Sequence, residues 1–210
     1  MRKFSSYGPV DTEMNYYAPR KELIERTYLQ LTGENPQKGG HYFTVWAPRQ
    51  TGKTWLMQQV VQRIKQEDKY NVAMISLQEA KNIKDEKKVL EIFLKKISQT
   101  LQIRFPEISS ISDISDLFTK DYLQKPLVLI IDEFDDLAEE AINTIVSAFR
   151  NIYIHRSDEF DKTTDQKTYL LHGVNLIGVR SALGVACSSN CHVNMREQAM
   201  PGSLQFYMEM

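Results

Sequence analysis

Short apolar runs alternate with stretches of helical periodicity along most of this chain. Four runs have the length and composition of buried strands: residues 42–46, 71–77, 126–132 and 173–179. Four stretches carry apolar residues at helical spacing: residues 20–31, 53–68, 85–102 and 137–154. Because strands and helices alternate, we predict an α/β fold of three layers, in which a central, mostly parallel sheet carries helices on both faces.

Three regions lack this regularity. Residues 106–125 are predicted to form a loop with a short helix around 112–123. Residues 155–168 are rich in charge and are predicted to form a loop with no core potential. Beyond residue 181 the periodicity is lost, and residues 197–210 are expected to hold at best one short strand.

Composition and charge fit one globular domain with a small appendage. The 210 residues are 42% hydrophobic and 25% charged, and the formal net charge of −1 argues for neither a nucleic-acid nor a membrane partner. No apolar run approaches the ~20 residues of a membrane span. The N-terminus has no signal-peptide segment, so we expect a cytoplasmic protein. We assign residues 1–40 to an N-terminal extension with a helix that leads into the core, and residues 41–210 to the core domain.

Two cysteines and a histidine lie close together near the end of the sequence. Cys187, Cys191 and His192 form a C-x₃-C-H pattern. A structural zinc site needs a fourth ligand at sensible spacing, and the other histidines are scattered. The pattern therefore favours plain reduced cysteines over a metal site.

The first strand leads into a phosphate-binding sequence. Residues 42–56 read YFTVWAPRQTGKTWL, a strand followed by A-x-x-x-x-G-K-T and an amphipathic helix, with Ala47 where glycine is usual. In this P-loop pattern, backbone N–H groups and the helix N-terminus bind a polyphosphate, which Gly52 allows to approach closely. Lys53 would reach the β- and γ-phosphates, and the Thr54 hydroxyl would ligate Mg²⁺. The residues predicted to contact the nucleotide here are Pro48, Arg49, Gln50, Thr51, Gly52, Lys53, Thr54 and Trp55. The alternative is a lysine-rich turn before an ordinary helix.

An acidic pair follows the third predicted strand. Apolar residues lead directly into Asp132 and Glu133, the Walker B pattern, at the carboxyl end of a strand where parallel sheets bind ligands. Asp132 would hold Mg²⁺ together with Thr54, and Glu133 would polarise the attacking water as a general base. The alternative is a solvated strand end. The next acids, Asp135 and Asp136, are predicted to cap the following helix, whose N-terminus favours negative charge.

The adjacent Asp-Glu pair favours ATP hydrolysis over phosphate transfer between small molecules. A GTPase would also carry an N-K-x-D segment that reads guanine, and the chain has none. A nucleotide kinase needs several lid arginines, whereas residues 155–168 contain only Arg156. We therefore expect ATP and Mg²⁺ as the ligands of this P-loop NTPase fold.

Four segments together resemble the bacterial AAA-like ATPases of the AAA+/STAND group. They are Y-x-A-P-R-K-E-L-I near the start, W-A-P-R-Q-T-G-K-T, L-V-L-I-I-D-E-F-D-D-L and V-N-L-I-G-V-R-S, in this order. The resemblance implies strand order 5-1-4-3-2. It also implies that the segment Tyr17-Ala18-Pro19-Arg20, with Tyr17 and Pro19 as its contacts, lies against adenine, although a packing aromatic and a helix-starting proline are an equal alternative. The polar sensor on the fourth strand would be Arg180 or Ser181, because Asn175 comes too early on that strand. The alternative for Arg180 is a surface charge.

The resemblance also implies parts that this sequence does not supply. Such ATPases usually continue into a helical lid or winged-helix region, and we expect this chain to stop before it. Arg150 and Arg156 are expected to follow the helix after the acidic pair, where arginines that act on a neighbouring subunit can occur, but their spacing is not diagnostic of an arginine finger. We predict an ATPase, with a nucleotide-gated interaction module as the alternative. A second copy or a protein effector is the expected partner, while nucleic acid stays open without support from any basic patch.

Overall fold

The computed structural model describes residues 3–4, 11, 13–106, 111–179 and 206–207. The helices of this part are α1 (Lys21–Thr32), α2 (Lys53–Gln66), α3 (Glu86–Leu101) and α4 (Glu139–Asp158). The strands are β1 (Tyr42–Trp46), β2 (Asn71–Ser76), β3 (Leu127–Asp132), β4 (Leu171–Gly178) and β5 (Phe206–Tyr207). None of these helices is both long enough and apolar enough to cross a membrane.

The strands form one parallel sheet in the order β2-β3-β4-β1-β5. Read from the other edge, this is the predicted order 5-1-4-3-2, and the short strand expected within residues 197–210 is β5. Parallel neighbours align their carboxyl ends, and Ser76 of β2 is level with Asp132 of β3. The polar residues that follow the strands are therefore gathered at one edge of the sheet.

Alternate residues of β1, β2, β3 and β4 face two separate cores, which gives this part of the molecule three layers. One core lies between the sheet and α3 and α4, where the Phe149 ring meets those of Tyr42, Phe93 and Phe118 edge to face at centroid distances of 6.1–6.4 Å. The other core lies between the sheet and α1 and α2, with Phe43 and Ile130 among its strand residues. Helices on both faces, as predicted from the alternation, are thus confirmed.

Two sequence predictions about irregular regions are corrected. The helix expected around residues 112–123 is a 3₁₀ run over Ile111–Phe118. The predicted charged loop at 155–168 is wrong in both bounds and character, because α4 continues to Asp158 and the side chains of Arg156, Thr164 and Lys167 are buried. Their burial is possible because each polar group is bonded rather than solvated.

A chain of hydrogen bonds at the amino-terminal edge of the sheet satisfies these groups. Arg156 Nη2 donates to Thr164 Oγ1 at 2.8 Å, and Thr164 Oγ1 lies 2.7 Å from His172 Nδ1. His172 Nε2 lies 2.9 Å from the Thr32 carbonyl oxygen. Since a carbonyl can only accept, Nε2 carries the proton and the Thr164 hydroxyl donates to Nδ1. This series of hydrogen bonds joins α4, β4 and the end of α1.

Helix α1 is also fastened along its length to α2. Arg63 forms a paired salt bridge with Glu25, in which Nη2 is 3.0 Å from Oε1, and its guanidinium lies 4.2 Å above the Tyr28 ring. The Tyr28 hydroxyl donates in turn to Glu67. These contacts fix the position of α1 beside the helix that follows the P-loop.

Candidate nucleotide-binding site

A cleft of about 430 Å³ opens at the carboxyl edge of the sheet. Its lining comes from the P-loop, the end of β3 and the end of β4: Arg49, Gln50, Lys53, Thr54, Asp132, Glu133, Asp135, Asp136, Gly178 and Val179. The two segments predicted to bind phosphate and Mg²⁺ therefore meet in one cavity, as the parallel topology requires.

The P-loop reaches α2 through two residues with left-handed backbone. Gln50 has φ 61°, and Gly52, which precedes the first residue of α2, has φ 80°. Glycine adopts this conformation without the steric cost that a Cβ brings. Apart from Gly52 itself and its two neighbours in the sequence, no described residue has an atom within 4 Å of the place where a Cβ of Gly52 would stand, so the loop leaves open space there. The N–H groups of the first turn of α2 have no partner within the helix and suit an anion.

Lys53 is buried against the inside of the loop. Its ammonium donates to the carbonyl oxygens of Ala47 at 2.6 Å and Pro48 at 2.8 Å. Burial lowers the pKa of Lys53, and the nearby carboxylates of Asp132 and Asp135 act in the opposite direction. An ammonium has three donors, so these two bonds orient the group while leaving it able to contact a phosphate oxygen.

Thr54 and Asp132 meet across the cleft. The Thr54 hydroxyl donates to Asp132 Oδ2 at 2.6 Å, and Asp132 Oδ1 accepts from the Glu133 backbone N–H at 2.9 Å. Mg²⁺ takes oxygen ligands in octahedral geometry, and neighbouring ligands of such an ion are about 2.9 Å apart. The hydroxyl and carboxylate oxygens are close to that separation, so these two residues fit the ion.

Glu133 lies beside this pair in a strained backbone conformation. Its φ of 59° places it in the left-handed region, which costs a non-glycine residue about 1–2 kcal/mol. The carboxylate accepts a hydrogen bond from Ser76 Oγ at 3.0 Å. Sequence reasoning missed Ser76, although a polar residue at the end of a strand adjacent to β3 was a signal for it.

The two further acids do not cap α4, contrary to the sequence prediction. They form a 3₁₀ turn, Phe134–Asp136, and the N-cap of α4 is Ala138, which makes no side-chain cap. Asp135 is buried and accepts from the Val179 backbone N–H at 3.0 Å, while Asp136 forms an ion pair with Lys81 at 2.8 Å. Asp135 thereby joins the turn after β3 to the end of β4.

The segment before α1 lies against the outer side of the P-loop and α2. The Tyr17 ring meets Trp55 edge to face at 5.9 Å, and its hydroxyl accepts from Gln59 at 2.8 Å. Pro19 is exposed, and neither Tyr17 nor Pro19 lines the cleft described above. Arg20, the last residue of the segment expected against adenine, donates from Nη1 to the Thr51 carbonyl oxygen at 3.1 Å.

The remaining predicted site residues divide into three groups. Within the P-loop, Thr51 is buried and donates to the Pro48 carbonyl oxygen at 2.9 Å. Asn175 is wholly buried in the middle of β4, away from the cleft lining, in agreement with the expectation that it comes too early. The third group lies outside the described part of the chain and consists of Arg180, Ser181, Cys187, Cys191 and His192.

Arg150 and Arg156 lie within α4 rather than after it. Arg150 is exposed, whereas Arg156 is 5% exposed and bonded to Thr164 and to the Tyr169 carbonyl oxygen. A buried guanidinium cannot reach the site of a neighbouring molecule. Arg156 is therefore excluded as an arginine finger.

One solved structure supports the same fold. The chain resembles Cdc6p from Pyrobaculum aerophilum, with a TM-score of 0.55 and 15% identity over 90% of this chain and 47% of that one. It also matches the ORC2 protein of Aeropyrum pernix in its ADP form, with a TM-score of 0.44 and 18% identity over 91% of this chain and 50% of that one. The chain thus spans about half the length of these proteins. No curated protein matches its sequence.

The family follows from the sequence itself. The model of the AAA-like domain family matches residues 5–162, which contain both the P-loop and the Asp132-Glu133 pair. The structural likeness to Cdc6p agrees with this match in the arrangement of sheet and helices. The chain therefore belongs to the AAA-like family of P-loop ATPases.

Proposed function

We propose that this protein binds ATP together with Mg²⁺ and hydrolyses it to ADP and phosphate. The observation that carries the proposal is the contact of 2.6 Å between Thr54 and Asp132, with Glu133 and Lys53 lining the same cleft. Four groups suited to polyphosphate, metal and water thus converge on one cavity, although two of them come from a segment about eighty residues away in the sequence.

The charge of the cleft supports a requirement for a divalent cation. Its lining contains four carboxylates and two cationic side chains: Asp132, Glu133, Asp135, Asp136, Arg49 and Lys53. These lining charges alone would repel a polyphosphate, because like charges in a partly desolvated cleft disfavour each other. A bound Mg²⁺ neutralises charge on the β- and γ-phosphate oxygens.

Each residue has a role that follows from its position. The P-loop N–H groups and the Lys53 ammonium bind the phosphates, while Thr54 and Asp132 would hold the metal. The Glu133 carboxylate would accept a proton from the attacking water, as a general base within hydrogen-bond reach of it. We also propose that Tyr17 and Pro19 flank the adenine end, and that Arg180 contacts the γ-phosphate or the water, as the family resemblance implies.

Phosphate release and ATP binding in three proteins test the proposal. For Lys53→Ala we expect ATP affinity to fall about 10- to 100-fold, because a charged hydrogen-bond donor is lost. For Glu133→Gln we expect ATP binding close to that of the wild type, with hydrolysis slowed about 10²- to 10⁴-fold because the general base is lost. Isothermal titration gives the affinities, and a phosphate assay in Mg²⁺ gives the rates.

The controls separate binding from catalysis. Chelation of Mg²⁺ and the variant Asp132→Asn should each abolish phosphate release by the wild-type mechanism. A wild type that binds no ATP would overturn the whole proposal. Phosphate release that is unchanged in Glu133→Gln would exclude Glu133 as the base.

A nucleotide-gated interaction module is the second candidate. The hydrogen bond from Ser76 favours it, because a restrained Glu133 carboxylate would hydrolyse ATP slowly and leave the bound state long-lived. The bound nucleotide would then select a conformation that a second copy or a protein effector recognises. Tight ATP binding without Glu133-dependent phosphate release would support this candidate against the enzyme.

A further inference from the structure

Arg20 contacts the P-loop from outside the cleft. It is the N-cap residue of α1, where its carbonyl oxygen accepts from the Ile24 N–H at 2.9 Å. Its guanidinium Nη1 donates to the Thr51 carbonyl oxygen at 3.1 Å, and Arg20 is not among the residues that line the cleft. The side chain is thus placed to act on the loop and not on a ligand in the cavity.

The backbone of Arg20 has a fixed position relative to the loop. Helix α1 is bound to α2 by the Glu25–Arg63 pair, and α2 begins directly after the P-loop. At its other end, α1 accepts the hydrogen bond from His172 at the Thr32 carbonyl. The guanidinium therefore reaches Thr51 from a helix that is held at several points.

The geometry of the peptide group converts this contact into an effect on the opposite side of the loop. The peptide bond between Thr51 and Gly52 is trans and planar, so the Thr51 C=O and the Gly52 N–H point in opposite directions. A donor that holds the Thr51 C=O pointing away from the cleft therefore holds the Gly52 N–H pointing in the opposite direction. The Gly52 N–H belongs to the orphan donors at the start of α2, and the position where a Cβ of Gly52 would stand is open.

We infer that Arg20 is a positioning residue for the polyphosphate: it holds the Thr51–Gly52 peptide so that the Gly52 N–H faces the phosphates. The inference rests on the proposed binding of ATP in this cleft. It assigns to Arg20 an effect on the phosphates alone, because neither the base nor the ribose is involved in the orientation of this peptide. A positioning role of this kind also predicts that a shorter cation restores part of the effect.

The test compares ligands with and without a polyphosphate. We expect Arg20→Met to weaken the binding of ATP and of inorganic tripolyphosphate by the same factor, about tenfold, which is typical for the loss of a charged hydrogen bond. Affinity for AMP should be unchanged. Arg20→Lys should recover part of the loss, and Lys21→Met, which removes an equal charge from the next residue, should bind all ligands like the wild type.

A nuclear magnetic resonance readout reports on the peptide itself. In the wild type, tripolyphosphate should move the Gly52 amide proton downfield, and in Arg20→Met this shift should be reduced. Thermal unfolding without ligand distinguishes a folding defect from a binding defect. If Arg20→Met does not fold, the same binding measurements are made on Arg20→Lys, for which we expect a smaller loss of affinity for ATP and tripolyphosphate.

Three outcomes would overturn the inference. One is an Arg20→Met variant that binds tripolyphosphate like the wild type. Another is a loss of affinity for ATP without a loss for tripolyphosphate, which would place Arg20 at the base or ribose. The third is an equal loss in Lys21→Met, which would reduce the effect to net charge. A wild type that binds neither ligand would overturn the proposed function as well.

Discussion

Ser76 illustrates how a single side chain can restrain the chemistry of a neighbouring strand. It stands at the end of β2, level with Asp132, and its hydroxyl holds the Glu133 carboxylate at 3.0 Å. A carboxylate that accepts this bond must give it up, or share it, before it turns toward a water molecule. The bond is exposed to solvent, so its net contribution is about 0.5–1.5 kcal/mol.

We therefore expect Ser76→Ala to hydrolyse ATP several-fold faster than the wild type, with unchanged affinity for ATP. The reason is that the cost of releasing Glu133 is removed while the phosphate-binding groups remain. Steady-state phosphate release at saturating ATP measures the effect, and Ser76→Thr, which keeps the hydroxyl, is the matched control. A slower Ser76→Ala enzyme would instead mean that Ser76 holds Glu133 in its active orientation.

At the scale of elements, apolar periodicity predicted the starts of the helices and failed where polar groups are buried. The prediction for α3 began near Asp85, which is the N-cap and accepts from the Lys88 N–H. The predicted end of α4 lies four residues before the observed one, because Arg156 and the residues after it carry no apolar pattern. The burial of Arg156 depends on hydrogen bonds to Thr164 and to the Tyr169 carbonyl oxygen, which a sequence pattern does not reveal.

The buried hydrogen bonds of His172, at the amino-terminal edge of the sheet, predict that stability depends on pH. Burial lowers the pKa of His172 from 6.5 to about 4. The folded protein therefore binds this proton less readily than the unfolded chain, so stability is full above pH 6.5 and falls as the pH decreases toward 4. The expected loss between pH 7 and pH 5 from this group is about 2 kcal/mol.

Urea unfolding at pH 7 and pH 5 checks this expectation. In His172→Asn, which retains hydrogen-bonding groups without a titration in this range, the loss between the two values should be smaller by about 2 kcal/mol. Measuring the difference between the two pH values cancels the cost of the substitution itself. An identical loss in both proteins would show that other groups are responsible.

At the scale of the whole molecule, the architecture was predictable and the contacts that tune the site were not. The alternation of strands and helices gave the layers, and the P-loop and Asp132-Glu133 patterns gave one edge of the sheet as the site. The partners of Arg20 and Ser76 could not be read from the sequence, because each side chain contacts a residue far away along the chain, Thr51 and Glu133 respectively. Contacts of this kind depend on packing, which local patterns do not determine.

In the proposed mechanism, the left-handed backbone of Glu133 sets catalysis against stability. Glutamate pays a conformational cost at this position that glycine would not pay, so selection for stability alone would favour an inactive protein. We expect Glu133→Gly to be more stable than Glu133→Ala by about 1 kcal/mol, because only glycine adopts this backbone conformation without strain. In a helix the order is reversed, since alanine is more favourable there than glycine by a similar amount.

Both variants lack the carboxylate, so their comparison isolates the backbone, and denaturant unfolding measures it. If Glu133→Ala were the more stable of the two, the conformation at this residue would not be strained. For the proposed general base, this conformational cost is stored in a single φ angle, and the stability of the whole fold offsets it.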